Sequence, residues 1–451
     1  MRRTNGNILL ALAGLLSIGI ASIFVFGLAG SGPRLAREAA SEQALNTARE
    51  ALLAYAAGRA IDPVVGPGYL PCPDLDGDGW AESTCGSLDG RTGQAQRLGR
   101  LPWKTLGLPE LRDGHDELLW YAVSTKYKGL LNCAASVACV DMNPDAALGT
   151  LTVRDSHGAV LHDGRIDDPR RAEISGAVAV VIAPGPPLVR HAGSALPRSQ
   201  SRATPAERAD ATNYLDVASG AAFGDEDNAA FVDRTDVRSA NGDGFIAGPV
   251  RAATGDLGVN DRLAVVTYGE VMSRARKRVA QEVLRCVREF AAANGGRPPA
   301  PAPACRSSSG NDAWREAAGA RFGRVADGTL SACGLATNEA PNWWLAWRRH
   351  VFYALDVQPV DETGRTVGPR RAYAVIVAGA ARPGTSHAAG TEADLGQWLD
   401  APHRELERRD PDPAPGCVRG EPRAPCPPGE CDRVVLAPPA ANRADIVVAA
   451  P

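Results

Sequence analysis

Lysine is nearly absent from this chain: four of its 49 basic residues are Lys (Lys104, Lys126, Lys128 and Lys277) and the rest are Arg. Such a skew reflects coding composition more often than an arginine-dependent activity. The net charge of −3 removes the electrostatic basis for nucleic-acid binding. Aromatic residues are 5%, so any core must be mainly aliphatic. Catalytic signatures are missing too. There is no Gly-x-Ser-x-Gly, no His-Glu-x-x-His, no phosphate-binding loop and no dinucleotide fingerprint. The seven histidines are scattered, mostly in loop-like sequence, and the chain reads as non-enzymatic. Charged residues at 22% and hydrophobic ones at 44% exclude wholesale disorder and a multi-pass membrane protein.

What is present begins at the N-terminus. Ile8 to Ala29 is 22 residues without a charge. As a helix it spans about 33 Å, enough for a bilayer core. Arg2 and Arg3 precede it and no charge follows until Arg34, so the positive-inside rule places the first residues in the cytoplasm and the remainder outside it. The rival is a cleaved signal peptide, whose apolar region is shorter, with the small residues Gly27–Ser31 as the cut. The expectation is a single-pass membrane protein with its head outside the cytoplasm.

That compartment preserves disulfides, so the ten cysteines read as staples. Cys72 and Cys85 are close in sequence, as are Cys133 and Cys139, and Cys305 with Cys333 forms a wider pair. Cys286 has several candidate partners. The spacing of Cys417, Cys426 and Cys431 does not match a paired Cys-x-x-Cys zinc site.

Past Pro33, read as a break or boundary of the helix, an amphipathic pattern runs to Gly58, with Leu45, Ala48, Leu52 and Tyr55 on one face. Proline-rich turns and strand-like runs at 118–124, 149–154 and 177–183 follow. A second pass begins near residue 260: a strand at 262–268, then a helix at 270–293 closed by Asn294-Gly295-Gly296. Echoes recur in order. Tyr55-Ala56-Ala57-Gly58 returns as Phe290-Ala291-Ala292-Ala293, Leu119–Val123 as His350–Leu355, and Val178–Pro184 as Tyr373–Gly379. Tyr214-Leu215-Asp216 returns as Trp398-Leu399-Asp400, and Asp261–Val265 as Asp432–Leu436. The pattern predicts an α+β protein with an internal duplication and three parts. These are residues 1–30 (cytoplasmic tip and transmembrane helix), 31–260 (helix plus antiparallel sheet) and 261–451 (a related module with a Pro/Cys-rich tail).

The order of a short basic start, an apolar helix running into an amphipathic one, then loop and sheet resembles type IV pilins and type II secretion pseudopilins. Glu50–Ala56, Leu70-Pro71-Cys72-Pro73-Asp74-Leu75-Asp76-Gly77-Asp78-Gly79, Gly99–Leu108 and Leu119–Ser124 resemble a group of pilin-like proteins of Gram-negative bacteria. The resemblance implies a helix packed on antiparallel sheet, assembly instead of catalysis, and partners in the inner membrane and among other pilin-like subunits or secretion components. It makes Gly6-Asn7 the candidate prepilin cleavage site. The family's fifth mature residue is usually Glu, whereas Ala11 stands there. That departure points to a minor or tip-type subunit, or to a tethered binding protein or adhesin that never enters a fibre.

Asp74, Asp76 and Asp78, followed by Gly79, open like a calcium loop, with Glu82 at the ninth position and Cys85 where a bidentate Glu usually closes it. Calcium is the candidate cofactor, and a solvated turn clipped by Cys72 and Cys85 is the alternative. Trp343, Trp344 and Trp347 read as core packing, and Arg274, Arg276, Lys277 and Arg278 as a solvated or ion-paired face.

Overall fold

The computed structural model describes residues 5–58 (5–31 as backbone only), 66–87, 93–128, 147–189, 199–218, 223, 226–230, 244–252, 255–304, 314–331, 333–334, 343–382, 384–387, 394–400, 403, 405–406, 431–436 and 445–450. Helix α1 (Asn5–Gly58) is one continuous helix with Pro33 inside it. The expected interruption at Pro33 is not seen. A proline forfeits one backbone hydrogen bond, which a helix continuing for several turns on both sides can absorb. Among the residues described with their side chains, no helix is long and apolar enough to cross a membrane. The run 8–29 and the Gly6-Asn7 site lie in the part of α1 outside the described side chains.

From residue 41 onward one stripe of α1 is buried: Ser41, Ala44, Leu45, Ala48, Leu52, Leu53 and Ala56. The spacing of three and four lays these side chains on one face, and each buried Leu contributes about 2 kcal/mol. Tyr55, expected on that stripe, is only half-buried at its edge. The stripe packs on a four-stranded antiparallel sheet of β1 (Leu98–Arg100), β2 (Trp120–Val123), β5 (Ala179–Ala183) and β9 (Arg262–Val266), in the order β1-β2-β5-β9. Helix α1 lies against β5 and β9. Between β2 and β9 the chain adds β3 (Thr152–Arg154), β4 (Val160–His162) and β6 (Gly244–Ile246) as a small sheet. The short helix α2 (Pro205–Ala209) and the hairpin β7 (Val250–Arg251) and β8 (Leu257–Val259) complete this half.

Helix α3 (Tyr268–Ala293) then starts from a capping box between Thr267 and Glu270, so the strand expected at 262–268 ends earlier. After it come β10 (Phe322–Arg324), α4 (Asp327–Ser331), α5 (Trp343–Trp347), β11 (Val351–Val360), β12 (Arg371–Val377), α6 (Leu395–Trp398), β13 (Arg433–Val435) and β14 (Ile446–Ala449). The second sheet has the order β10-β11-β12-β14, again antiparallel, and α3 lies on β12 and β14 as α1 lies on β5 and β9.

The two sheets agree residue by residue. Gly99 pairs with Tyr121 and Gly323 with Tyr353; Tyr121 pairs with Val181 and Tyr353 with Val375; Val181 pairs with Ala264 and Val375 with Val448. Arg100 and Arg324 follow the two glycines, and each guanidinium lies over the aromatic ring it pairs beside, 4.0 Å from Trp120 and 3.7 Å from Phe352. This register corrects one expected echo. Arg433–Val435 is not the counterpart of β9 but a parallel strand on β11, and the counterpart is β14, preceded by Asp445. Strand β9, taken as the opening of the second part, is hydrogen-bonded into the first sheet.

Helices α1 and α3 pack on each other, and one hydrophobic core runs through both halves. At its border Arg49 pairs with Glu270, and Arg274 with Glu50 at 2.6 Å. Trp343, Trp344 and Trp347 all lie in this core, with Trp343 against Gly66, so packing is their role.

The expected Cys72–Cys85 disulfide is present. Cys333 is bonded to Cys286, not to Cys305. The reason is tertiary: Cys286 lies on the buried face of α3, against which α4 packs, and Cys333 follows α4 with Cα atoms 5.3 Å apart. Cys431 is disulfide-bonded as well. Cys133, Cys139, Cys305, Cys417 and Cys426 lie outside the described residues.

Candidate functional site

The acidic loop is built by its own side chains. Asp74 accepts the backbone N–H of Gly77 at 2.7 Å on one carboxylate oxygen and that of Gly79 at 2.8 Å on the other. Asp76 accepts from Asp78 N at 3.1 Å, and Asp78 from Trp80 N at 2.7 Å, two successive Asx-turns. Gly77 and Gly79 have φ of 83° and 87°, the left-handed region in which a side chain is strained. The Trp103 indole lies where a Cβ on Gly79 would sit.

The loop is held at both ends. The Cys72–Cys85 disulfide closes it, and Asp74 exchanges two backbone hydrogen bonds with Arg100 on β1, at 3.0 and 2.7 Å. Gly99 permits that approach: its Cβ would stand 2.7 Å from the Asp74 carbonyl oxygen. Thr105 accepts from Ala81 N at 2.7 Å, and the Lys104 amine donates to the Asp78 carbonyl.

Three of the four candidate ligands converge. Carboxylate oxygens of Asp74, Asp76 and Asp78 lie within 4.8 Å of one another. Glu82 is not in the group; its carboxylate accepts Leu75 N at 3.3 Å instead. Asp74 is buried whereas Asp76 and Asp78 are exposed. Burial raises the Asp74 carboxyl above the ordinary carboxylate range, the Gly79 and Gly77 N–H groups counter this, and the Asp76 and Asp78 charges add to it. A cation would relieve that repulsion. The triad offers three hard oxygen donors on an open face, and a calcium ion there would complete its six to eight ligands with water. Leu75 and Trp80, 43% and 55% exposed, flank it.

The other residues singled out by sequence are not brought to this loop. Arg274 and Arg278 are ion-paired, with Glu50 and with Glu282, and Arg276 is buried with its guanidinium on the Tyr268 hydroxyl at 3.0 Å. Elsewhere, Glu226 is buried against Arg154, and Asn228 joins a carboxyl cluster around Asp261. Sequence reasoning missed that cluster and its counterpart at Asp400 and Asp445. The Tyr214–Asp216 echo of Trp398–Asp400 was half of the signal, and the assignment of Asp261 to Asp432 hid the rest.

No family model, no curated protein and no solved structure matches the chain.

Proposed function

We propose that this chain is a non-enzymatic, pilin-like subunit, of minor or tip type, anchored in the inner membrane by residues 8–29 and carrying its head in the periplasm. The observation that carries the reading is α1. It is a single unbroken helix whose first half is an uncharged apolar run and whose second half lies along an antiparallel sheet. A helix that anchors at one end and forms the spine of a head at the other couples membrane insertion to the placement of that head. The disulfides favour an oxidising compartment.

The matched strand order and register of the two halves support an internal duplication, in which α3 repeats the packed half of α1 without its apolar half. A head with two modules is bulky for a repeating shaft, which favours a rare position in a type IV pilus or type II secretion assembly. The acidic triad adds calcium as the ion of the first module, and its three convergent carboxylates support that choice.

The test is the mature N-terminus. Mass spectrometry showing a new, methylated terminus at Asn7 is the expected result. An intact Met1, or cleavage near Ala29, transfers the chain to the second reading: a tethered or released periplasmic adhesin. That reading draws on Ala11 and on the exposed Leu75 and Trp80 beside the triad. Calorimetry of the full chain should give one calcium site that Asp76→Ala abolishes, and absence of heat rejects the ion.

A further inference from the structure

Both halves are closed by the same clasp. In the first, Asp216 N–H donates to Oδ2 of Asp261 at 2.8 Å, and Asn260 N–H donates to Oδ2 of Asp216 at 2.7 Å. In the second, Asp400 N–H donates to Oδ2 of Asp445 at 2.8 Å, and Asp445 N–H returns to Oδ2 of Asp400 at 3.0 Å. Asp261 and Asp445 are equivalent by register, each just before the last strand of its sheet. All four carboxyl groups are buried, with exposures of 0 to 3%.

The donors differ. Asp445 is satisfied on both oxygens, Oδ1 by Gly379 N–H at 3.1 Å and Oδ2 by Asp400 N–H and His403 Nδ1 at 2.9 Å. Val435 N–H donates to Nε2 of the same imidazole, which fixes Nδ1 as the nitrogen bearing the proton. The Arg382 guanidinium is ion-paired with Asp400. In the first clasp the corresponding donors are amides: Gln200 Nε2 to Asp216 at 2.8 Å and Asn228 Nδ2 to Asp261 at 2.7 Å. Oδ1 of Asp261 is buried with no hydrogen-bond partner among the described residues. The charged groups facing Asp261 are Asp216 and Arg202, and Arg202 is ion-paired at 2.6 Å with Glu117. An ionised carboxylate in that position leaves a buried charge with no donor on Oδ1 among the described residues, which costs more than the neutral acid does there.

We infer that Asp261 is held as the neutral acid in the folded head, making the first clasp a pH-sensitive latch that loosens as pH rises while the Asp400–Asp445 clasp stays shut. Burial, with the Asp216 carboxyl adding to it, pushes the Asp261 carboxyl well above the ordinary carboxylate range; the Asn228 amide, the Asp216 N–H and Arg202 act the other way. For an acid raised on folding, the unfolded chain ionises first, above about pH 4, while the folded chain must hold its proton. The latch is therefore firmest below that pH and weakens until the folded group itself ionises. What it holds is the 199–218 segment, whose Tyr214 and Leu215 cover the apolar face formed by Trp120, Val180 and Ile182. Opening would uncover that face.

Hydrogen–deuterium exchange on the full chain in detergent tests this, after correction for the intrinsic pH dependence of exchange. Between about pH 5 and about pH 8, opening at the Asp216 and Asn260 amides should rise by up to about tenfold per pH unit, the limit for one proton. The Asp400 and Asp445 amides should not follow, and Asp261→Asn should flatten the first response. Equal pH dependence at both clasps, or none at the first, overturns the inference. Should Asp261→Asn fail to fold, infrared spectroscopy of the Asp74→Asn/Asp327→Asn chain, which removes two other carboxyls raised by burial and keeps Asp261 intact, decides the same question. A protonated-carboxyl stretch must be present at the lower pH and fade at the higher, and its absence refutes the latch.

Discussion

Replacing Cys286 and Cys333 together by Ala should destabilise the head by about 4–5 kcal/mol. The bond closes a loop with a sequence separation of 47. In the chain-entropy description, releasing a loop of that size returns about 4 kcal/mol of freedom to the unfolded chain. The same arithmetic for Cys72–Cys85, with a separation of 13, gives about 3 kcal/mol. Cys286 is fully buried on α3, so loss of its sulfur adds up to about 1 kcal/mol. The two bonds also act in different places. Cys72–Cys85 clips one exposed loop, whereas Cys286–Cys333 fastens α4 to α3, which itself touches α1, β12 and β14. Urea unfolding of the full chain in detergent, followed by tryptophan fluorescence, should therefore show a midpoint lowered by about 1.5 M for the Cys286/Cys333 pair. A smaller shift is expected for the Cys72/Cys85 pair. The reasoning is refuted if the order is reversed, or if a non-reducing peptide map joins Cys333 to Cys305.

Three further outcomes follow from the packing. Leu52→Ala opens a cavity in the buried stripe of α1 and should cost about 2–5 kcal/mol, read as a urea midpoint shift; an effect under about 0.5 kcal/mol would mean that α1 is not the spine of the head. Gly114→Ala should release the 113–117 turn from α1, because its Cβ would fall within the Arg37 backbone while Ser41 accepts Gly114 N–H at 3.0 Å; unchanged protease resistance of the turn would contradict this. Asp74→Ala strips the acceptors of the Gly77 and Gly79 N–H groups and should cost about 1–3 kcal/mol as well as the calcium heat, whereas Asp76→Ala should remove the heat with little change in stability.

The helix spine, the central strands and the acidic loop were legible because each is written in local pattern. The stripe of α1 recurs every three or four residues, and the runs at 118–124 and 177–183 contain β2 and β5, both buried throughout. The loop is a local construction too, its hydrogen bonds between aspartates and following amides spanning two to five residues. What sequence could not supply was the choice among partners that are similar at a distance. Asp432–Leu436 and Asp445–Ala449 are both short apolar runs behind an aspartate, and only pairing with Ala374–Val377 identifies the second as the closing strand. Cys333 could reach Cys305 or Cys286 in sequence terms, and the packing of α4 on α3 decides between them. The clasp was hidden for the same reason. Its four aspartates lie 45 residues apart in each half, 216 to 261 and 400 to 445. Equal separation in two halves whose loops otherwise differ is a further support for the proposed duplication. On the proposed duplication, the donor exchange, amides in one half and Arg and His in the other, is a divergence between copies.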